Sequence, residues 1–155
     1  MKNLMIGGLA AVFLTASLSA SAQVDPEDQI KYRKAGYSFM SWNMGKIKAM
    51  AIDESVAWDP AQVQAAANSI AATANSGMGA LFGPGTEKSI GDTKTRGKPE
   101  MFTDREGVTE VGIAFNKAAN ELAAAAQTGD KAQVVAAFGA AGKSCKGCHD
   151  KYRMD

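Results

Sequence analysis

Four times beyond residue 24 the chain repeats the signal that starts a helix, and this limits its fold more than any other feature. Asp25-Pro26 and Asp59-Pro60 each set a capping aspartate before a proline at the first helical position, where the missing N–H costs nothing. Gln62 stands three residues after Asp59 to complete a capping box, and Thr103 with Glu106 and Asp130 with Gln133 make two more. Gly129 falls where the helix before Asp130 would stop. Four starts predict four helices, over about residues 26–53, 60–80, 104–128 and 131–153.

Each stretch carries apolar residues at helical spacing. The first aligns Ile30, Arg33, Tyr37, Met40, Met44 and Ile47, with Phe39 and Trp42 on a second stripe that suits a subunit interface or the bundle core equally well. The second presents Val63 and Ile70, the third Val108, Phe115 and Leu122, the fourth Val134, Phe138, Cys145, Cys148 and His149. One face per helix and short first and last connections predict an all-α, antiparallel up-down-up-down four-helix bundle. Residues 81–102 carry Gly83-Pro84-Gly85, Gly91 and Gly97-Lys98-Pro99, too broken for a helix, so a long loop separates helices two and three.

Residues 1–22 stand apart. Lys2, an apolar stretch from Leu4 to Leu18 and the small residues Ala20-Ser21-Ala22 have the layout of a secretory signal peptide cleaved after Ala22. A retained anchor is the weaker reading, because Gly7, Gly8, Thr15 and Ser17 break a short stretch. Residues 23–155 then form one exported domain with no membrane span. Without Lys2 its 16 Lys+Arg balance 16 Asp+Glu, so it lacks the basic excess that binding nucleic acid requires.

The chemistry concentrates in Cys145-Lys146-Gly147-Cys148-His149, a C-x-x-C-H motif that reads as covalent attachment of a c-type haem. On a helix Cys148 lies about 300° and His149 about 400° round from Cys145, so all three share one face within about a turn. Two thioether bonds can then tether the ring while the imidazole reaches the iron. A thioredoxin-like pair would need a βαβ setting, and a disulfide three residues long would stabilise little. A zinc site would need two further ligands, yet the chain has only two cysteines and one histidine. That single histidine also leaves the iron's other side to a methionine, a weaker ligand, water or nothing, a choice that counting leaves open.

The sequence resembles the cytochromes c′ over essentially the whole exported domain. The resemblance is carried by Tyr32-Arg33, by Phe82-Gly83-Pro84-Gly85-Thr86 and Lys98-Pro99-Glu100 at the two ends of the long loop, and by Ala136-Ala137-Phe138-Gly139. It ends in Cys145-Lys146-Gly147-Cys148-His149-Asp150-Lys151-Tyr152-Arg153, with the haem motif at the C-terminus. That family is itself a standard up-down-up-down bundle, so agreement in fold adds nothing independent.

The resemblance implies a periplasmic, homodimeric protein with one covalently attached haem c, His149 as the proximal iron ligand and no protein ligand opposite. It implies binding of the gases NO and CO and electron exchange with an unidentified periplasmic donor or acceptor. Arg33 falls where the family places an arginine near a haem propionate, and Arg153 where it places one beside the proximal histidine. Tyr37 falls at the distal position. Lys34 replaces the glutamine common after that arginine, and Phe82 opens the loop that borders the haem; both are carried as cofactor-binding candidates.

The residues taken alone are consistent with this. Arg33 lies on an apolar stripe and needs an anionic partner, either a propionate, which is favoured, or a buried carboxylate. Tyr37 is either a core aromatic or a gate over the iron. Arg153, four residues after His149, is either beside the imidazole or an exposed cation favouring the helix dipole. The loop cations Lys94, Arg96 and Lys98 read as solvated rather than as a propionate cover. No paired carboxylates and no nucleophile beside a base are found, so a binding and redox protein is expected rather than an enzyme.

Overall fold

A computed structural model describes residues 24–154. The leader and its cleavage after Ala22 lie outside the described residues. Four long helices dominate: α1 (Pro26–Ala51), α2 (Pro60–Ala74), α4 (Arg105–Gln127) and α5 (Lys131–Tyr152), with a single-turn α3 (Glu100–Thr103) before α4. Packing runs α1 on α2, α2 on α4 and α4 on α5, while α1 and α5 meet at few places.

Contacts at the two ends fix the directions. Glu54, just after α1, pairs with Lys131 at the start of α5 at 2.6 Å. At the other end Gly83 N–H donates to Gln29 near the start of α1, and Tyr152 at the end of α5 bonds Asp104 at the start of α4. The bundle is therefore antiparallel and up-down-up-down, as expected.

The core is filled by the predicted stripes. Ile47, Val63, Ile70, Leu122 and Val134 are fully buried, and Ala66, Ala67 and Ala119 let α2 and α4 approach closely. Truncating Leu122 to alanine at such a site costs about 2–5 kcal/mol.

Several local expectations are corrected. Thr103 does not cap the third long helix; it ends α3, and Asp104 takes the cap by accepting from Gly107 N–H at 2.9 Å. A carboxylate one residue later reaches the free N–H groups of the first turn, so it displaces the threonine. The other two boxes form, but Gln62 and Gln133 donate to the side chains of Asp59 and Asp130 at 2.9 and 3.0 Å. The second helix stops at Ala74, where Asn75 and Gly77 (φ +83°) turn the chain into a 3-10 turn, Met78–Leu81. Phe39 and Trp42 are not core: both are exposed and stack on each other with centroids 5.8 Å apart.

Candidate functional site

The last turns of α5 hold Cys145, Cys148 and His149. The two sulfhydryls are free and half-buried, and His149 is exposed. Burial pushes the Cys145 thiol up, partly offset by a hydrogen bond from Ser144, and burial followed by the Cys145 charge pushes up Cys148. Both are therefore neutral thiols at neutral pH, which is the reverse of the lowered pKa that thiol-disulfide catalysis uses.

Tyr37 of α1 faces these thiols. Burial pushes its hydroxyl up to about 12, and the Cys148 charge adds to this while Arg33 opposes it. The side chain is nevertheless 42% exposed. Tyr37 thus stands half-exposed on α1, a helix that meets α5 at few places. It is not a core aromatic.

Arg33, one turn before Tyr37, is 3% exposed and has no carboxylate within ion-pair distance among the described residues. Within the protein its partners are neutral acceptors, so the buried carboxylate that was one of its two readings is not present among the described residues. Its guanidinium donates to Leu81 O at 3.0 Å, to Thr86 Oγ1 and Thr86 O at 2.8 Å each, and to Thr95 Oγ1 at 2.6 Å. It also lies 4.6 Å from the centroid of the Phe82 ring, with Phe102 at 5.9 Å. Desolvation lowers its pKa, but a guanidinium stays charged. Phe82 thus joins Arg33, whereas Lys34 is exposed.

On the far side of His149, Arg153 sets Nη1 3.2 Å from Nδ1 and 3.4 Å from Nε2 of the ring. Arg153 is thus beside the imidazole, as one of its two readings had it. Lys98 N–H donates to Tyr152 O and Met154 N–H to Arg96 O, so the end of the long loop pairs with the chain just past α5. The result is an open depression of about 470 Å³ lined by Arg96, Lys98, His149, Asp150, Arg153 and Met154. Sequence reading treated these loop cations as solvated and missed the pairing. It also missed the Arg33 cradle, for which Gly83-Pro84-Gly85-Thr86 was the available signal: the turn, with Gly85 at φ +87°, delivers Thr86 inward.

Among the described residues, no group of three or more His, Cys, Asp or Glu side chains is arranged to hold a bare metal ion. The donor set instead fits a haem c. It supplies two neighbouring neutral thiols for thioether formation and one imidazole on the same helix, which α1 meets at few places.

The comparisons with known proteins agree. A family model described as cytochrome c′ matches residues 28–153. A cytochrome c′ of Allochromatium vinosum is 56% identical over 146 residues, covering 94% of this chain and 92% of its own. A solved cytochrome c′ with an unusual ligand-controlled dimer dissociation is 55% identical, with TM-score 0.82, over 85% of this chain and 98% of that one. Variants of the Alcaligenes xylosoxidans protein solved with nitric oxide and with carbon monoxide bound are 32% identical, with TM-score 0.74, over 85% of this chain and 98% of theirs.

Proposed function

The chain belongs to the cytochrome c′ family, and from that premise we propose that it is an exported, periplasmic protein that binds small neutral gases and exchanges single electrons. The observation that carries this reading is the pair of free, half-buried thiols beside the chain's one histidine on α5, with the half-exposed Tyr37 of α1 near enough to feel their charge. A haem c, when bound, would supply a redox-active iron able to take up a small exogenous ligand.

Cys145 and Cys148 hold the porphyrin edge by thioether bonds, and His149 ligates the iron from the proximal side. Following the cytochrome c′ family, the distal position would carry no protein ligand, with Tyr37 near it, and the iron would be five-coordinate and high-spin. Tyr37 would restrict that position by its bulk, and its hydroxyl, protonated at neutral pH, would donate to a bound diatomic. Arg153 sits against the proximal ring and orients it. Arg33 keeps its charge inside the bundle and, with Phe82 and the Thr86 turn, would stand toward a haem propionate. Lys34 is positioned to contribute from solvent.

NO and CO enter as ligands because variants of a relative have been solved with each bound. Homodimerisation follows the relative with ligand-controlled dissociation, and the exposed Phe39 and Trp42 of α1 provide a self-complementary apolar face. The reading is of a binding and electron-transfer protein, not an enzyme. It is tested by acid-acetone extraction of the purified protein followed by pyridine haemochrome assay. Haem that stays with the polypeptide supports it, whereas a colourless preparation with two titratable thiols overturns it.

A further inference from the structure

The long loop, residues 82–99, is more than a connection. Its last three residues before Pro99 are tied to the C-terminal segment by Lys98 N–H to Tyr152 O at 2.9 Å and Met154 N–H to Arg96 O at 2.8 Å, with a bridge between Gly97 and Arg153. The Lys98 ammonium reaches Asp150 O at 3.1 Å. These bonds carry Arg96 and Lys98 from a distant part of the sequence to the rim of the depression at His149, where Arg153 already stands.

The charge there is one-sided in a chain whose formal net charge is only +1. Three of the lining side chains are cations. Among the described residues the only lining carboxylate, Asp150, is occupied by Lys146 at 2.6 Å. Arg96 and Arg153 are exposed, and Met154, 43% exposed, puts an apolar side chain among them. An apolar spot inside a charged rim is the form of a transient redox interface, small and steered by charge.

We propose that this face, built by Arg96, Lys98 and Arg153 around His149 and Met154, is the docking surface for an acidic redox protein that exchanges electrons with this chain. The proposal rests on the haem reading above, because His149 marks the proximal side of the cofactor. An acidic partner is drawn in by the cations, and its approach brings its redox centre to the end of the bundle where the covalent attachment lies. Non-covalent docking then precedes transfer of one electron, with no bond made or broken.

Inorganic reagents of opposite charge test this on the full holoprotein. In oxidation of the reduced protein by hexacyanoferrate(III), one electron leaves the protein and hexacyanoferrate(II) is formed; tris(phenanthroline)cobalt(III) performs the same step as a cation. With the anion the second-order rate falls as ionic strength rises. At low salt the Arg96→Glu/Lys98→Glu variant slows it about tenfold while quickening the cobalt reaction. Arg96→Gln/Lys98→Gln, which disturbs the loop less, gives a smaller change of the same sign, and Lys117→Glu on α4 leaves both rates unchanged. Redox-inert, paramagnetic hexacyanochromate(III) broadens the amide resonances of residues 96–98 and 153–154 in the wild type and not in the reversed variant. Equal salt dependence for both reagents, or broadening elsewhere, overturns the docking surface and leaves the haem reading standing. A preparation without a haem absorption band overturns both.

Discussion

The Tyr152 hydroxyl donates to Oδ2 of Asp104 at 2.6 Å, joining the last turn of α5 to the carboxylate that caps α4. Asp104 uses its other oxygen to accept from Gly107 N–H. A Cβ at Gly107 would collide with both the Tyr152 hydroxyl and the Asp104 carboxylate, so a glycine is required there. The latch lies three residues from His149 and fixes the end of the helix that carries it.

Its pH dependence has a definite sign. The hydrogen bond to Asp104 pushes the Tyr152 hydroxyl up to about 12 from its ordinary 10.0, so the stabilisation it brings is complete below the ordinary value and is lost as pH rises towards about 12. The Tyr152 hydroxyl, then Gly107 N–H, hold Asp104 below its usual range, so that contribution is present above the ordinary carboxylate pKa and fades as pH falls through the lowered one. Tyr152→Phe removes the alkaline slope, weakens the acid one, which Gly107 N–H still supports, and lowers the melting temperature at neutral pH. Tyr37 titrates in the same alkaline range, so the quantity to measure is the difference in melting temperature between wild type and variant from about pH 8 to about pH 12.

Thr86 is the principal support of Arg33, accepting through both its hydroxyl and its carbonyl. Thr86→Val leaves a buried guanidinium N–H with one acceptor fewer and is expected to cost about 1–3 kcal/mol. The urea midpoint of the holoprotein reads this directly. A midpoint equal to that of the wild type would mean that the loop does not hold the arginine.

Tyr37 separates steric from polar control of the distal position. Tyr37→Ala, which opens it, is expected to raise carbon monoxide affinity about tenfold, equivalent to about 1.4 kcal/mol of relieved crowding. Tyr37→Phe keeps the bulk and loses only the hydroxyl, so a change in ligand dissociation rate there measures the hydrogen bond. Flash photolysis of the carbonyl form gives both rates.

Much of this was legible in the sequence because it is local. Asp25, Asp59 and Asp130 cap where their proline or glutamine neighbours say they should, and the stripe from Ile30 to Ile47 predicts which side of α1 is buried. Cys145, Cys148 and His149 are fixed relative to one another by helix geometry alone. What was not legible depends on pairings between distant residues. Arg33 meets Thr95 across 62 positions and Lys98 meets Asp150 across 52, and no periodicity encodes such contacts. Arg33 reads as needing an anion because apolar spacing shows that it is buried, but not that a glycine-rich turn brings carbonyl and hydroxyl oxygens to it. Asp104 displaced Thr103 as the cap because the three-residue box pattern does not weigh a carboxylate one position later.

The open distal position is tested most directly by the absorption spectrum of the reduced holoprotein before and after carbon monoxide is added. The account predicts a high-spin, five-coordinate spectrum that converts on titration to a sharp low-spin carbonyl band with one equivalent bound per haem. A low-spin spectrum at the outset, unchanged by carbon monoxide, would contradict it, since a side chain such as a methionine would then occupy the position that Tyr37 is said to guard.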